Sequence, residues 1–267
     1  MLFDLRSPGR RVAVKIIYGT LAVLMGGGLI FFGIGSDAQG GLSEIFGGGG
    51  SSGESGFESQ IEDAENQLEE NPRNQAALVD LVTLNVQAGG QQAEGIDEAT
   101  GFPVLGSDSE ESYNQAAEAW ARYLALKPKQ PDPTAALLLA NAYFVLAING
   151  DSAAAAQIDL ENAAEVQQVA VDGNPIVGNL NSLATYLYLS GQFAEGDRVA
   201  AELIAKAPPG QRAQLKRQLE ATEQQGRNFQ KQVKAEAKGA SSGGNPLEES
   251  GGLGGGSSLG GGSLSAP

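Results

Sequence analysis

The residue types that usually carry catalysis are missing from this chain. It has no His and no Cys, which removes Ser-His and Cys-His nucleophilic pairs, imidazole proton relays and the usual zinc ligand sets. Asp108, Glu110 and Glu111 form an acidic cluster that could recruit a hard cation. Carboxylates just inside a helix start, where the macrodipole is positive, account for it more simply. Gly49-Gly50-Ser51-Ser52-Gly53 matches the nucleophile-elbow spacing, but it lies in a Gly/Ser run, and the protein has no His to serve as the base of that triad. No catalytic residue, metal or cofactor is expected, and the reading is of a non-enzyme.

What remains is a pattern of apolar residues at helical spacing. From Leu180 to Pro208 the chain places Leu180, Leu183-Ala184, Leu187, Gly191, Phe193, Ala200, Leu203 and Pro208. Two apolar stripes at three- and four-residue spacing flank a Gly corner, and a Pro closes the unit. That arrangement resembles a tetratricopeptide repeat, an antiparallel helix pair that buries its faces only by stacking on copies of itself. One position departs from the family: Gly196 stands where Ala is usual, which keeps the packing at a cost in helix propensity.

Further copies are interrupted. Leu78, Leu81-Val82 and Gly89 make a first helix, and its partner (Tyr113, Ala116, Trp120, Leu124, Pro128) follows an insertion over residues 90–112. Ala136, Leu139-Ala140 and Tyr143 start a third helix of this type, and Leu160, Ala163, Ala170 and Pro175 complete it after an alanine-rich bridge. Ile61, Ala64, Leu68 and Pro72 read as a lone second helix capping the stack. Asp132-Pro133 and Asn174-Pro175 read as N-cap and N1 pairs, and Ser107 with Glu110 as a capping box. Leu215, Leu219, Phe229 and Val233 form one stripe of a closing helix, with a break at Gly226 an option. Its cations, interspersed with Glu220, Glu223 and Glu236, read as a solvated cap, with a basic docking face as the alternative.

The expected fold class is therefore all-α, a tetratricopeptide-like α-solenoid of about three helix pairs plus capping helices. Its divisions are a basic N-terminus (1–11), a transmembrane helix (12–35) and a Gly/Ser linker (36–56). A repeat domain (57–208), a capping helix (209–238) and a Gly/Ser-rich tail (239–267) follow. Residues 16–35 carry no charge, and a helix of that length covers about 30 Å of hydrocarbon. Arg6, Arg10, Arg11 and Lys15 precede it while Asp37 and Glu44 follow, so the positive-inside rule keeps the N-terminus cytoplasmic and the repeats extracytoplasmic. The alternative is a signal peptide cleaved near Ala38, after which the product is secreted. Gly19, Gly26 and Gly33 fall seven apart and are candidates for a transmembrane packing seam.

The chain carries −15, and its first 15 residues contribute +3, so the remainder carries −18. Such a body is repelled by nucleic acid, and no nucleic-acid partner is expected. The resemblance implies that the first helix of each pair lines a groove for a protein or peptide. The family's inward spacing places Val79, Thr83 and Val86, then Leu137, Asn141 and Phe144, then Asn181, Thr185 and Tyr188 on that lining. These helices hold no Lys or Arg, so the family's cationic clamp for a partner's C-terminal carboxylate is not expected. The groove is either open or filled by the protein itself, through Phe102-Pro103-Val104-Leu105 or through the Leu215/Phe229 helix. The layout is similar to bacterial inner-membrane tetratricopeptide proteins that accompany the protein-export channel. The function expected is a membrane-tethered scaffold for segments of other envelope or exported proteins. The alternative is a structural subunit that assembles with copies of itself.

Overall fold

The computed structural model describes residues 54–97 and 102–242. The segment expected to span a membrane, with Gly19, Gly26 and Gly33, lies outside the described residues, as do residues 36–53 of the expected linker and 243–267 of the expected tail, whereas residues 54–56 and 239–242 belong to helices. Among the described residues no helix is long and apolar enough to cross a membrane.

The described chain is all-α apart from one small hairpin. Its elements are α1 (Glu54–Glu70), α2 (Gln75–Gln91), β1 (Gly95–Ile96), β2 (Pro103–Val104), α3 (Ser107–Ala125), α4 (Pro133–Asn149), α5 (Ala153–Gly173), α6 (Val177–Leu189), α7 (Phe193–Lys206) and α8 (Arg212–Ser242). Each helix packs on the next along the chain, and α2 also reaches α4 while α8 reaches back to α6 and α5. β1 and β2 pair antiparallel, with Gly95 opposite Val104 and Ile96 opposite Pro103.

One continuous apolar core runs through the stack, from Ala64 and Leu68 of α1 to Leu215 and Leu219 of α8. Most of the stripe read between Leu180 and Leu203 is inside it: Leu180, Leu183, Ala184, Leu187, Ala200 and Leu203 are buried, while Phe193 is half-buried against it. α4 is apolar around most of its circumference because α2, α3 and α5 all pack against it, which leaves little surface for polar residues. Complete burial of a Leu contributes about 1.5–3 kcal/mol, so this stripe dominates the stability of its helix pair.

The caps agree in part. Asp132 accepts from Thr134 N at 2.9 Å and Ala135 N at 2.8 Å, with Pro133 in the first turn of α4. Asn174 does not cap α6. It ends α5, donating its N–H to Ala170 O, and α6 starts two residues later from Ile176 without a side-chain cap. Pro175 is therefore a stop signal after a helix, the other common place for Pro. The Ser107 box is also absent. α3 begins at Ser107, so Gly106 is its N-cap and Ser107 donates instead to Asp108. The alanine-rich bridge is helical, since α5 already starts at Ala153 under a Ser152 cap; Ala is the strongest helix former. Nor does Gly226 break α8, which is one helix of 31 residues.

Candidate functional site

The nine residues expected to line a groove divide into two sets. Val79 and Thr83 on α2, Leu137, Asn141 and Phe144 on α4, and Thr185 on α6 are half-buried. Val86, Asn181 and Tyr188 are buried, at 2%, 7% and 3% exposure, so the protein itself covers these three. Tyr188 points its ring at Gly196 and donates its hydroxyl to Asp197 Oδ1 at 3.0 Å. Val86 belongs to the main core.

Asn141 and Phe144 are already engaged. Tyr186 donates its hydroxyl to Asn141 Oδ1 at 3.1 Å, and complete burial holds that phenol above its ordinary pKa, so it stays a neutral donor. The Phe144 ring lies 5.3 Å from that of Tyr186 and meets Phe102 edge-on at 5.7 Å. Phe102 comes from the insertion between α2 and α3. Asn149 at the end of α4 anchors the same insertion. Its Nδ2 donates to Pro103 O at 3.1 Å, and its Oδ1 accepts from Leu105 N at 3.2 Å. The hairpin strands are thus tied to α4 by an amide that mimics a strand partner. Of the two segments that could fill the groove, the insertion covers its Phe144 end. Val79 and Leu137 pack on the core while keeping partial exposure, and Thr83 satisfies its own hydroxyl by donating to Val79 O at 3.1 Å.

α8 reaches the same Phe144 from another side. Its Phe229 joins Ala147, Ala153, Ala156, Leu160 and Leu189 in a second apolar cluster, flanked by Phe144 and Val233.

A further cleft escaped the sequence reading. Glu161, Ala164, Glu165 and Gln168 of α5 face Leu183 and Leu187 of α6, with Gln192 and Glu195 closing one side, around an open volume of about 550 Å³. The signal was present: Glu161 and Glu165 stand four apart, and residues 130–197 contain no Lys or Arg. Glu195 is tied to Arg198, whose Nε donates to it at 2.9 Å, and this hydrogen bond holds its carboxyl below the usual range. No group of three or more His, Cys, Asp or Glu placed to hold a metal occurs among the described residues.

α5 also holds Asp159, which burial pushes up to about 6; burial, then Asp159 and Glu165, raise the Tyr143 phenol above its ordinary value. Because the folded-state pKa of Asp159 exceeds the unfolded value of about 3.9, the folded chain binds the proton more tightly. Its stabilising contribution is complete below about pH 4 and is lost as pH rises through about 6. The side chain is only partly covered, so solvent screening limits the effect to about 1 kcal/mol. Asp159→Asn is expected to raise the urea midpoint at pH 8 and to flatten its slope between pH 4 and 6. An unchanged slope would place the titration elsewhere.

No protein-family model, no curated protein and no solved structure matches this chain.

Proposed function

We propose that this protein is a membrane-tethered, extracytoplasmic scaffold of tetratricopeptide-like helix pairs that holds segments of other envelope or exported proteins and performs no chemistry. The sequential helix-on-helix packing and the spacing from Leu180 to Pro208 support the repeat reading. The uncharged stretch 16–35 behind four cations supports the tether.

The observation that carries the docking function is the surface of α2 and α4. Val79, Thr83 and Leu137 keep partial exposure on neighbouring helices, and neither helix contains a Lys or Arg. Apolar side chains and threonine at such spacing suit a partner's apolar segment. Phe144 is not offered to it, since Phe102 lies against that ring. The same coverage favours a second reading, a structural homo-oligomeric subunit whose groove is filled from within.

A photo-crosslinker replacing Thr83 in intact cells separates them. The scaffold predicts an adduct with a different protein that disappears in a Leu137→Glu variant. Leu137 is only half-buried, so that variant should stay folded by thermal melt. An adduct at twice the chain's own mass, and no other, would assign the surface to self-assembly.

A further inference from the structure

α8 has two unequal halves. Its first half seats Leu215 and Leu219 in the main core. Gly226 still lies against Tyr188 of that core, and Arg227 stacks on Phe193, 4.3 Å from its ring centroid. Beyond them the helix passes Gly191 at the corner between α6 and α7 and reaches Ala153 at the corner between α4 and α5. There Phe229, 3% exposed, enters the second cluster, whose walls are Ala147, Ala153, Ala156, Leu160 and Leu189. The remaining anchors are mostly polar. Gln230 Nε2 donates to Gln157 Oε1 and, at 3.3 Å, to Leu189 O. Glu236 Oε2 accepts from Ala153 N at 2.9 Å, at the positive end of α5, where a carboxylate is favoured.

The receptor for this half is shaped for one helix pattern. Three alanines leave a hollow between Leu160 and Leu189 for an aromatic ring. Gln157 and the Leu189 carbonyl read an amide one residue later, and the α5 N-terminus reads a carboxylate seven residues after the ring. Val233, four residues after Phe229, packs along the same edge. Positions i, i+4 and i+7 are the anchors of an amphipathic helix laid in a groove. The cluster is distinct from the main core, so detaching this half leaves Leu215 and Leu219 in place. Sub-global opening of that kind is the ordinary lowest-cost fluctuation of a helix end.

We infer that residues 226–242 form a releasable strap, occupying in cis a docking site for a partner's amphipathic helix. That helix carries an aromatic residue, an amide next to it, a β-branched residue four on and a carboxylate seven on. The site lies at the helix corners and does not depend on the α2–α4 surface. While the strap is closed, a partner's apparent affinity is its intrinsic affinity reduced by the open fraction.

The test uses the full chain, its Phe229→Ala and Glu236→Ala variants, and a labelled synthetic peptide spanning residues 224–240. In the unaltered chain, amides 227–238 should exchange with deuterium well before amides 213–222. Both variants should bind the peptide at least ~10-fold more tightly than the unaltered chain, because each shifts the strap toward the open state. Glu236→Ala removes only a rim contact, so it reports even where Phe229→Ala disturbs folding. Uniform exchange protection along α8, or equal peptide affinity in all three proteins, overturns the strap. Dimerisation of the variants in place of peptide capture also overturns it, by giving the site to a second copy.

Discussion

Replacing Gly226 with Ala lowers the stability of this protein by about 2–3 kcal/mol, seen as a fall in the urea midpoint at constant m-value. The sign is the informative part. Gly in the middle of an exposed helix costs about 1 kcal/mol relative to Ala, so the same change on an ordinary surface would stabilise. Here the α8 backbone lies on the end of α6. A Cβ at Gly226 would sit 2.0 Å from Tyr188 O and 2.6 Å from its carbonyl carbon. Backbone cannot rotate out of the way as a side chain can, so the two helices must separate. Separation loosens Phe229 and Gln230 just beyond, and exchange protection of amides 227–238 should fall first. Gly178, in the first turn of α6, is the control. Nothing lies within 4 Å of a Cβ built there, and Gly178→Ala should gain about 0.5–1 kcal/mol. A rise in midpoint for both variants would mean that α8 does not rest on Tyr188.

The contrast between those glycines marks where sequence reasoning stops. Periodicity reported which stripes are buried between partners close in sequence, as from Leu180 to Leu203. It could not report that α6 is packed by α5, α7 and α8 together. A helix with neighbours on three sides buries nearly every position, and Asn181 and Tyr188 are buried with the rest. Val86 went the same way, into the main core. The insertion was read as a possible filler of the groove. Its β-strands are two residues each, too short to show alternation, and Asn149 anchors it from far along the chain. Pro175 misled for a simpler reason, because a proline after one helix and before the next fits both a stop and a start signal. The acidic cleft was legible in the absence of cations over 130–197, but only the fold shows that Glu161, Glu165 and Glu195 share one opening.

The glycine at position 196, inside α7, has a packing cause. A Cβ there would meet the Tyr188 ring at 2.7 Å and 2.8 Å. That ring has no room to yield: it is 3% exposed, its hydroxyl is held by Asp197, and its carbonyl lies under Gly226. The glycine of α7 and the tyrosine of α6 are therefore a matched pair, large against absent. Gly196→Ala alone should cost about 1–3 kcal/mol through overpacking, despite the better helix propensity of Ala. In a Tyr188→Leu background the ring is gone, and the same Gly196→Ala change should become stabilising by about 1 kcal/mol. The double-mutant cycle then yields a coupling energy of about 2 kcal/mol or more, where unrelated sites add within about 0.5 kcal/mol. Strict additivity would separate the two residues and return Gly196 to a simple loss of helix propensity. A measured coupling would instead make Ala at position 196 incompatible with this chain for as long as Tyr188 is kept. Tyr188 is in turn what the strap-bearing helix rests upon, so the glycine at position 196 and the unbroken passage of α8 over Gly226 have one origin.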